Sequence, residues 1–199
     1  MSGQSQFLTE SEQRTLLSLA RNAVQAAVVG TSFDLPAATE NLNQNCGVFV
    51  TLHRHGDLRG CLGRFEPDEI PLLELVATMA QEAALHDNRF APISAKEIDE
   101  LDIEISVLTP MLQIHNPEQV EVGRHGLFIV GKSPMGGRRH GTLLPQVASE
   151  QGWDRLAFLE NTCRKAGLAS DAWKDDETEI YVYEAEVFGE KELGMWPPK

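Results

Sequence analysis

The sequence predicts an α+β fold built from two similar units. The 199-residue chain is 42% hydrophobic, which is enough for one core or for two small lobes that share one. Alternating apolar runs that predict strands, and apolar residues at helical spacing, follow one another in the order strand, polar tip, strand, helix, strand. This order occurs twice. We therefore expect a single domain over residues 1–199, with two strand–strand–helix–strand units packed as two sublobes around a groove.

An N-terminal helix precedes the two units. Residues 9–12 (TESE) form a capping-box pattern, which predicts a helix start. Leu16, Ala20 and Ala23 recur at helical spacing, and Gly30 is typical of a helix end. The predicted helix covers residues 10–29, and a loop follows over residues 31–45.

The first unit begins with an apolar strand over residues 47–52. A polar tip (HRHGD) and a return strand (LRGCLG) follow over residues 53–63. Pro71 suits the first turn of a helix, whose buried stripe we expect to contain Leu72, Val76, Met79, Ala80 and Ala83. Residues 101–108 alternate between apolar and polar and predict the closing strand.

The second unit repeats this order. Residues 126–130 predict a strand, and a glycine-rich tip follows over residues 136–141. Asp154 can cap a helix that ends at Gly167. Residues 179–187 alternate and predict one closing strand. The apolar face of the helix is expected to contain Leu156, Leu159, Cys163 and Ala166.

Composition limits the classes of partner. The formal charge of −13 makes most of the surface repel phosphate backbones, so we expect no nucleic-acid partner. The sequence has no apolar run of membrane-spanning length, and residues 1–6 show no secretory signal pattern. Three widely spaced cysteines argue against a disulfide framework and favour a cytoplasmic protein. The oligomeric state is left open.

The return strand of the first unit carries the most distinctive pattern of the chain. If strand alternation holds, Arg59 and Cys61 share one face, and Leu58 and Leu62 share the other. A guanidinium on the face of a thiol favours the thiolate. Gly60 and Gly63 would let another backbone or a ligand approach closely.

Several short motifs together resemble the AMMECR-domain family, which is named after the AMME chromosomal region. The resemblance runs over about residues 47–190. Leu62 stands where the family usually has Ile, and the segment 138–140 (RRH) is less typical. The motifs are residues 58–63 (LRGCLG), 87–90 (DNRF), 105–108 (ISVL), 123–127 (GRHGL), 144–147 (LPQV), 152–154 (GWD) and 165–168 (KAGL).

This resemblance implies an α+β fold with a duplicated unit and a groove between sublobes. It transfers no reaction, because the family has no firmly assigned one. Family members occur beside, or fused to, a Memo-like protein of dioxygenase fold and a radical S-adenosylmethionine (radical SAM) enzyme. The resemblance therefore implies these two proteins as pathway partners.

Cys61, Arg59 and His125 are the candidate catalytic residues. Cys61 is either a thiolate nucleophile or a small residue that fills space beneath a helix. His125 is either a general base or a turn histidine bonded to backbone. His53, His55, His86 and His140 are further possible bases, and no spacing selects one.

Gly60, Gly63, Arg89 and Glu150 are the candidate ligand-binding residues. Arg89 can contact an anionic ligand, but an exposed Asp87–Arg89 pair that locks a loop, with Phe90 in the core, is the favoured alternative. Glu150 is either an acid in the groove or a surface helix residue. Glu104 projects from the polar face of its strand, towards solvent or into the groove.

The remaining motifs yield no cofactor. His53 and His55, together with Asp57, are either metal ligands or polar residues at a hairpin tip; no third ligand is placed by the pattern, so we predict no metal site. Residues 126–133 match the letters of a P-loop, but the intervening residues are apolar and Pro134 replaces the required helix. Cys46, Cys163, Trp153 and Trp173 are expected to be structural.

The sequence thus favours a protein, or a cysteine-dependent enzyme, that handles an unknown small molecule in a groove lined by residues 58–63. The alternative is a non-catalytic interaction module that docks onto the Memo-like and radical SAM enzymes. The absence of a recognisable triad, metal set or cofactor loop in the sequence motivates this alternative.

Overall fold

A computed structural model describes residues 7–65 and 69–197. The polar segment 1–6, on which the prediction about a secretory signal rests, lies outside these residues. Within the described part, four helices and eight strands form an α+β fold. They are α1 (Glu10–Val29), β1 (Val48–Arg54), β2 (Asp57–Arg64), α2 (Leu72–Leu85), β3 (Leu101–Leu108), β4 (Leu112–Ile114), β5 (Gly126–Lys132), β6 (Arg138–Leu143), α3 (Pro145–Glu150), α4 (Arg155–Lys165), β7 (Glu179–Tyr183) and β8 (Ala185–Gly189).

The predicted duplication is visible in the strand order. The first sheet has the order β2-β1-β3-β8 and the second the order β4-β7-β5-β6. Both sheets therefore begin at one edge with the return strand (β2 or β6), followed by the first strand (β1 or β5) and then by the closing strand (β3 or β7). The chain divides into two compact units, of which the second is Thr109–Ala185 and the first contains the remainder.

The predicted caps of α1 are confirmed. The backbone N–H of Glu12 donates to Thr9 Oγ1 at 3.3 Å, and the Glu12 carboxylate accepts the backbone N–H of Thr9 at 2.8 Å. Gly30 adopts the left-handed conformation that ends the helix, with φ of 79°. Hydrogen bonds from Thr39, Thr9 and Asn41 lower the pKa of Glu12 to about 2, although burial opposes this shift.

The first core lies between one face of the first sheet and the helices α1 and α2. Val48, Val50 and Leu52 of β1 alternate inwards and are fully buried, as are Ile103 and Ile105 of β3. Each such side chain contributes about 1.5–3 kcal/mol on burial. The apolar stripe expected on α2 is buried as well. Because the even-numbered residues Val48, Val50 and Leu52 of β1 face the helices, the odd-numbered residues of β1 lie on the opposite face of the sheet.

A β-bulge interrupts the alternation expected for the return strand. Leu52 pairs with Gly60, but His53 pairs with Leu58, so Arg59 is an extra residue without a partner on β1. Leu58 consequently lies on the face of His53 and is 41% exposed. The expectation that Leu58 and Leu62 share a face is therefore wrong, because Leu62 pairs with buried Val50.

Two expectations for the second unit are also corrected. Leu156 is 53% exposed, because the buried face of α4 is centred on Phe158, Leu159, Thr162 and Cys163, about a quarter turn away. The single closing strand is in fact β7 and β8, which belong to different sheets. They separate at Glu184, whose backbone N–H and C=O both bond to Thr109.

Candidate functional site

Cys61 lies on β2, the edge strand of the first sheet, on the face opposite α1 and α2. It pairs directly with Thr51 of β1, and Thr51 Oγ1 donates a hydrogen bond to Cys61 Sγ at 3.4 Å. Both side chains are half-buried. Thr51 is therefore the hydroxyl group in direct contact with the Cys61 sulfur atom.

Asp87 and Arg89 cap the outer edge of β2 at Cys61. The backbone N–H of Cys61 donates to Asp87 Oδ2 at 2.8 Å, and Arg89 Nη2 donates to the Cys61 carbonyl oxygen at 3.0 Å. Arg89 is held in turn by Asp87, with Nη2 to Oδ2 at 2.7 Å and Nε to Oδ1 at 3.0 Å. The pair thus occupies the hydrogen-bonding positions that a neighbouring strand would fill.

The electrostatics of this cap bring a cation to the thiol. The Asp87 side chain is only 4% exposed, and the Arg89 guanidinium holds the pKa of that carboxyl well below its usual range. Hydrogen bonding to Asp87 raises the pKa of Arg89, and the nearby Cys61 side chain adds to this rise. Because the Arg89 side chain is 56% exposed, its outer N–H groups can also reach a ligand.

This geometry refines the expected loop lock. Asp87 is buried rather than exposed, and the ring of Phe90 is half-buried instead of in the core. The Arg89 guanidinium lies 5.5 Å from the centroid of the Phe90 ring. The ring therefore supports the guanidinium from one side, as a cation–π contact does.

The Arg59 side chain does not lie on the same face of the sheet as Cys61. Its Nε donates to Glu97 Oε1 at 2.9 Å, and its Nη1 donates to the carbonyl oxygen of Ala91 at 2.8 Å. Glu97 also binds Arg54, which continues the inward-facing row of β1. The bulge has thus turned Arg59 towards the helix side of the sheet. Arg59 lowers the pKa of Glu97 to about 2.

Gly60 and Gly63 make room for protein atoms. A Cβ on Gly60 would lie 2.4 Å from the carbonyl oxygen of Ala83, at the end of α2. A Cβ on Gly63 would lie 2.3 Å from the Val48 carbonyl oxygen and 2.4 Å from the Phe49 ring. The close approach expected at these glycines is therefore an approach of backbone and of an aromatic side chain.

His125 and Glu150 belong to the second unit. His125 Nδ1 accepts the backbone N–H of Glu121 at 3.1 Å, and burial lowers the pKa of the imidazole. This is the geometry of a turn histidine bonded to backbone, which is one of the two roles that the sequence suggests for His125; the other is a general base. Glu150 is exposed at the last position of α3, which fits the surface alternative.

The hairpin histidines have separate surroundings. His53 belongs to β1, whereas His55 and Gly56 form the turn, with φ of 55° and 91°. His55 Nε2 lies 3.2 Å from Glu100 Oε2. Over residues 7–65 and 69–197, no group of three His, Cys, Asp or Glu side chains is arranged to hold a metal ion.

The other two cysteines differ sharply from Cys61. Cys46 and Cys163 are buried, and burial raises the pKa of each thiol to about 11. The P-loop-like letters at residues 126–133 fall on β5, which is a regular strand from Gly126 to Lys132. This leaves Cys61 as the half-exposed thiol among the three cysteines.

Two contributors to the site were missed by the sequence. Thr51 sits in the expected strand, but its contact with Cys61 depends on the hairpin register. Arg89 was considered for a ligand and not for the thiol, because its approach to Cys61 requires Asp87 to bind the edge of β2. The only local signal was the Asp87–Arg89 spacing.

Comparisons with known proteins identify the family. The family model AMMECR1 matches residues 17–188. The chain belongs to the AMMECR1 family. Its match includes both units, so the duplicated topology and the Cys61 segment described above are features of an AMMECR1-family chain.

Relatives of this AMMECR1-family chain occur in archaea and bacteria. Protein MK0488 of Methanopyrus kandleri is 44% identical over 195 residues, which cover 93% of this chain and 91% of that protein. A protein of Aquifex aeolicus is 42% identical over 187 residues, with 90% and 93% covered. The crystal structure of the uncharacterized protein PH0010 from Pyrococcus horikoshii superposes with a TM-score of 0.74 at 37% identity, covering 95% and 96% of the two chains.

No helix in the described ranges of this AMMECR1-family chain combines the length and the apolar character that crossing a bilayer requires.

Proposed function

We propose that this chain handles a small molecule at the Cys61 strand, and that Cys61 contacts or attacks it as a thiolate. One observation carries the proposal. Cys61 is half-buried, its sulfur atom accepts a hydrogen bond from Thr51 and its carbonyl oxygen accepts one from the Arg89 guanidinium, whereas Cys46 and Cys163 are buried in apolar cores. Cationic and hydrogen-bond-donating neighbours of a partly exposed cysteine are the usual setting of reactive thiols.

Arg89 takes the role that the sequence suggested for Arg59. Arg89 approaches Cys61 from the strand edge, is anchored by buried Asp87 and keeps more than half of its side chain exposed. Arg59 is engaged by Glu97 and by two carbonyl oxygens. An anionic group of the small molecule is therefore expected to bind Arg89, next to the sulfur atom.

A site-resolved alkylation profile tests the proposal. The protein is treated with iodoacetamide between pH 6 and pH 9, and the labelling rate of each cysteine is measured by mass spectrometry. Cys61 is expected to react fastest near neutral pH. Arg89→Gln is expected to slow Cys61 by about threefold to tenfold, the range that one nearby charge supplies in a water-rich setting, whereas Arg59→Gln leaves the rate unchanged.

Thr142→Cys in a Cys61→Ser background is the matched control, because Thr142 of β6 is half-buried and directly follows a tightly packed glycine, as Cys61 does. The introduced thiol is expected to react more slowly than Cys61. Equal or slower alkylation of Cys61 than of Cys46 and Cys163 at every pH would refute the thiolate role. An Arg59→Gln effect larger than that of Arg89→Gln would reassign the guanidinium.

A second candidate function is that of an accessory module. Asp87 and Arg89 fill the edge of β2 at Cys61, but Leu58 near the hairpin end of the same strand is 41% exposed, which favours contact of another chain with its apolar side chain. The Memo-like and radical SAM proteins implied by the family resemblance are the proposed partners. Co-purification lost in Leu58→Glu but kept in Cys61→Ser would support docking. Absence of either partner from the wild-type pull-down at physiological concentration would refute it.

We also infer a cytoplasmic setting for this function. Cys46, Cys61 and Cys163 are all free thiols. A reduced thiol at position 61 is required by the proposed chemistry and persists in a reducing compartment. Fractionation of cells that produce the protein, with quantification of free thiols, tests this placement.

A further inference from the structure

Three side chains lie in one register row across the first sheet. Cys61 of β2 pairs with Thr51 of β1, and Thr51 pairs with Glu104 of β3. All three belong to the face opposite α1 and α2, because their neighbours in sequence point towards the first core; of these neighbours, Leu62 is half-buried and the others are buried. Adjacent strands are about 4.8 Å apart, so Glu104 lies about 10 Å from Cys61 along this row.

Glu104 has no partner among the described residues. The residue is half-buried, and within residues 7–65 and 69–197 its carboxylate makes no hydrogen bond or ion pair with another side chain or with backbone. A carboxylate that has no cation of its own protein beside it can receive one from a ligand.

The adjoining rows show that Glu104 differs from its neighbours. Towards the hairpin turn, His53 pairs with Asp102, but Asp102 Oδ2 binds Lys191 Nζ at 2.9 Å. On the other side, Phe49 pairs with Ser106, and both are uncharged. Within these three rows of described residues, Glu104 is the carboxylate that lacks a compensating cation.

Arg89 lies at the opposite end of the same row. Its Nη2 donates to the Cys61 carbonyl oxygen at 3.0 Å from beyond the edge of β2. The order across the sheet is therefore a guanidinium, a thiol, a hydroxyl and a carboxylate. A molecule lying across the strands would meet a cation at one end, an anion at the other and the reactive sulfur between them.

We propose that Glu104 is the second specificity-determining residue of the Cys61 site, and that the site takes an extended zwitterion of the ω-amino-acid class, whose chain is long enough to span this row. The acidic group of the ligand binds Arg89, and its ammonium group binds Glu104. Thr51 lies under the middle of the ligand and orients it by hydrogen bonding. This inference rests on the proposed function, because it concerns the molecule that reaches Cys61.

Charged thiol reagents test whether Glu104 faces the sulfur. Cys61 is labelled with the cationic aminoethyl and with the anionic sulfonatoethyl methanethiosulfonate, and the ratio of the two rates is measured. Glu104→Gln is expected to lower the cation-to-anion ratio by about threefold to tenfold, and Arg89→Gln to raise it similarly. Glu74→Gln removes the same charge from the exposed side of α2, behind the sheet, and is expected to leave the ratio unchanged.

A protection series tests the ligand class. The ω-amino acids from glycine to 6-aminohexanoate are added at equal concentration during labelling with neutral iodoacetamide. At least one is expected to slow labelling of Cys61 severalfold more than the matched carboxylic acid or the matched amine alone. That advantage is expected to disappear in Glu104→Gln and in Arg89→Lys, a milder second variant at the cationic end.

The outcomes separate this inference from the proposed function. If Cys61 reacts no faster than Cys46 and Cys163, the proposed function fails. If Cys61 is reactive but Glu104→Gln leaves the charge ratio unchanged, the proposed function stands and the role of Glu104 is overturned. If the carboxylic acids or amines protect as well as every ω-amino acid, the zwitterion class is overturned.

Discussion

The hairpins β1–β2 and β5–β6 share a glycine at the same place but differ at the next residue. A Cβ on Gly60 would lie 2.4 Å from the backbone of Ala83, and a Cβ on Gly141 would lie 2.5 Å from the backbone of Ala166. In both units, a glycine on the return strand therefore lets the end of a helix, α2 in the first unit and α4 in the second, pack directly onto the sheet.

The residues that follow the two glycines differ in their hydrogen bonds and in their exposure. Thr142 follows Gly141, and its Oγ1 donates to the Leu127 carbonyl oxygen at 2.8 Å and contacts Tyr183 Oη at 2.9 Å. Cys61 follows Gly60 and is half-exposed; its sulfur atom contacts Thr51 Oγ1, and its carbonyl oxygen binds Arg89. The scaffold is the same in both units, but the residue after the glycine is held by hydrogen bonds in the second unit and is a half-exposed cysteine in the first.

Acid is expected to produce the largest difference between the two units. Glu12 and Glu97 have pKa values lowered to about 2, and the pKa of Asp87 is lowered further, and all three lie in the first unit. Because the folded-state pKa values are depressed, their stabilisation is complete above about pH 5 and is lost as the pH falls towards 2. Amide hydrogen exchange, corrected for intrinsic rates, should show the first unit losing several kcal/mol of protection between pH 6 and pH 3.

The second unit is expected to lose less. Burial lowers the pKa of His125, so the stability linked to its neutral form declines as the pH falls below about 6.5, and this contribution is small. Glu12→Gln should flatten the pH dependence of the first unit without changing that of the second. Equal loss of protection in both units would contradict the assignment of acid sensitivity to these carboxylates.

The paired glycines are expected to give the next largest effect. Gly60→Ala and Gly141→Ala should each lower the free energy of unfolding by about 2–3 kcal/mol, because the new methyl group overlaps backbone atoms that cannot rotate away. Urea unfolding followed by circular dichroism measures both variants. Similar losses would support equivalent roles of the two glycines in the duplicated scaffold.

Gly189→Ala is the matched control, since the nearest atom to a Cβ there is 3.6 Å away. Its expected cost is below about 0.5 kcal/mol, the range of substitutions that meet no special feature. A large loss for only one of Gly60 and Gly141 would show that the two helix–strand contacts are not equivalent.

The residues that follow the glycines should differ by a smaller amount. Thr142→Val removes the bonds to Leu127 and Tyr183 and is expected to cost about 1–2 kcal/mol. Cys61→Ser replaces a half-exposed thiol and should cost less than about 0.5 kcal/mol. Thermal unfolding of the two variants measures the difference, and equal costs would remove the contrast between a structural threonine and a chemical cysteine.

Much of this scaffold could be predicted from local sequence. The capping box at Thr9, the helix start at Pro71 and the alternating strand over residues 101–108 are encoded within a few residues of each feature. The repeat of these patterns predicted the two units. The ordered motifs around Cys61 also predicted the family, which the matching model then confirmed.

The remaining features depend on contacts between distant residues. Alternation could not reveal the bulge at Arg59, because a bulge is defined by the partner strand. Similarly, the closing strand breaks at Glu184 because Thr109, 75 residues away, supplies its hydrogen bonds. The sequence predicts Arg59 on the face of Cys61, whereas the structure pairs Arg59 with Glu97 and brings Arg89 to the Cys61 carbonyl oxygen.

The route of the chain sets an order of events during protein synthesis. Strand β8 and the residues after it return to the first sheet, where the Glu186 carboxylate binds the backbone N–H of Phe7 and Glu190 pairs with Arg21. The second unit is one continuous segment and leaves the ribosome complete. The first unit, which carries Cys61, must wait for β8 and Glu190, which are synthesised after the whole second unit, so a polypeptide that stops before β8 would contain a complete second unit and an incomplete first sheet.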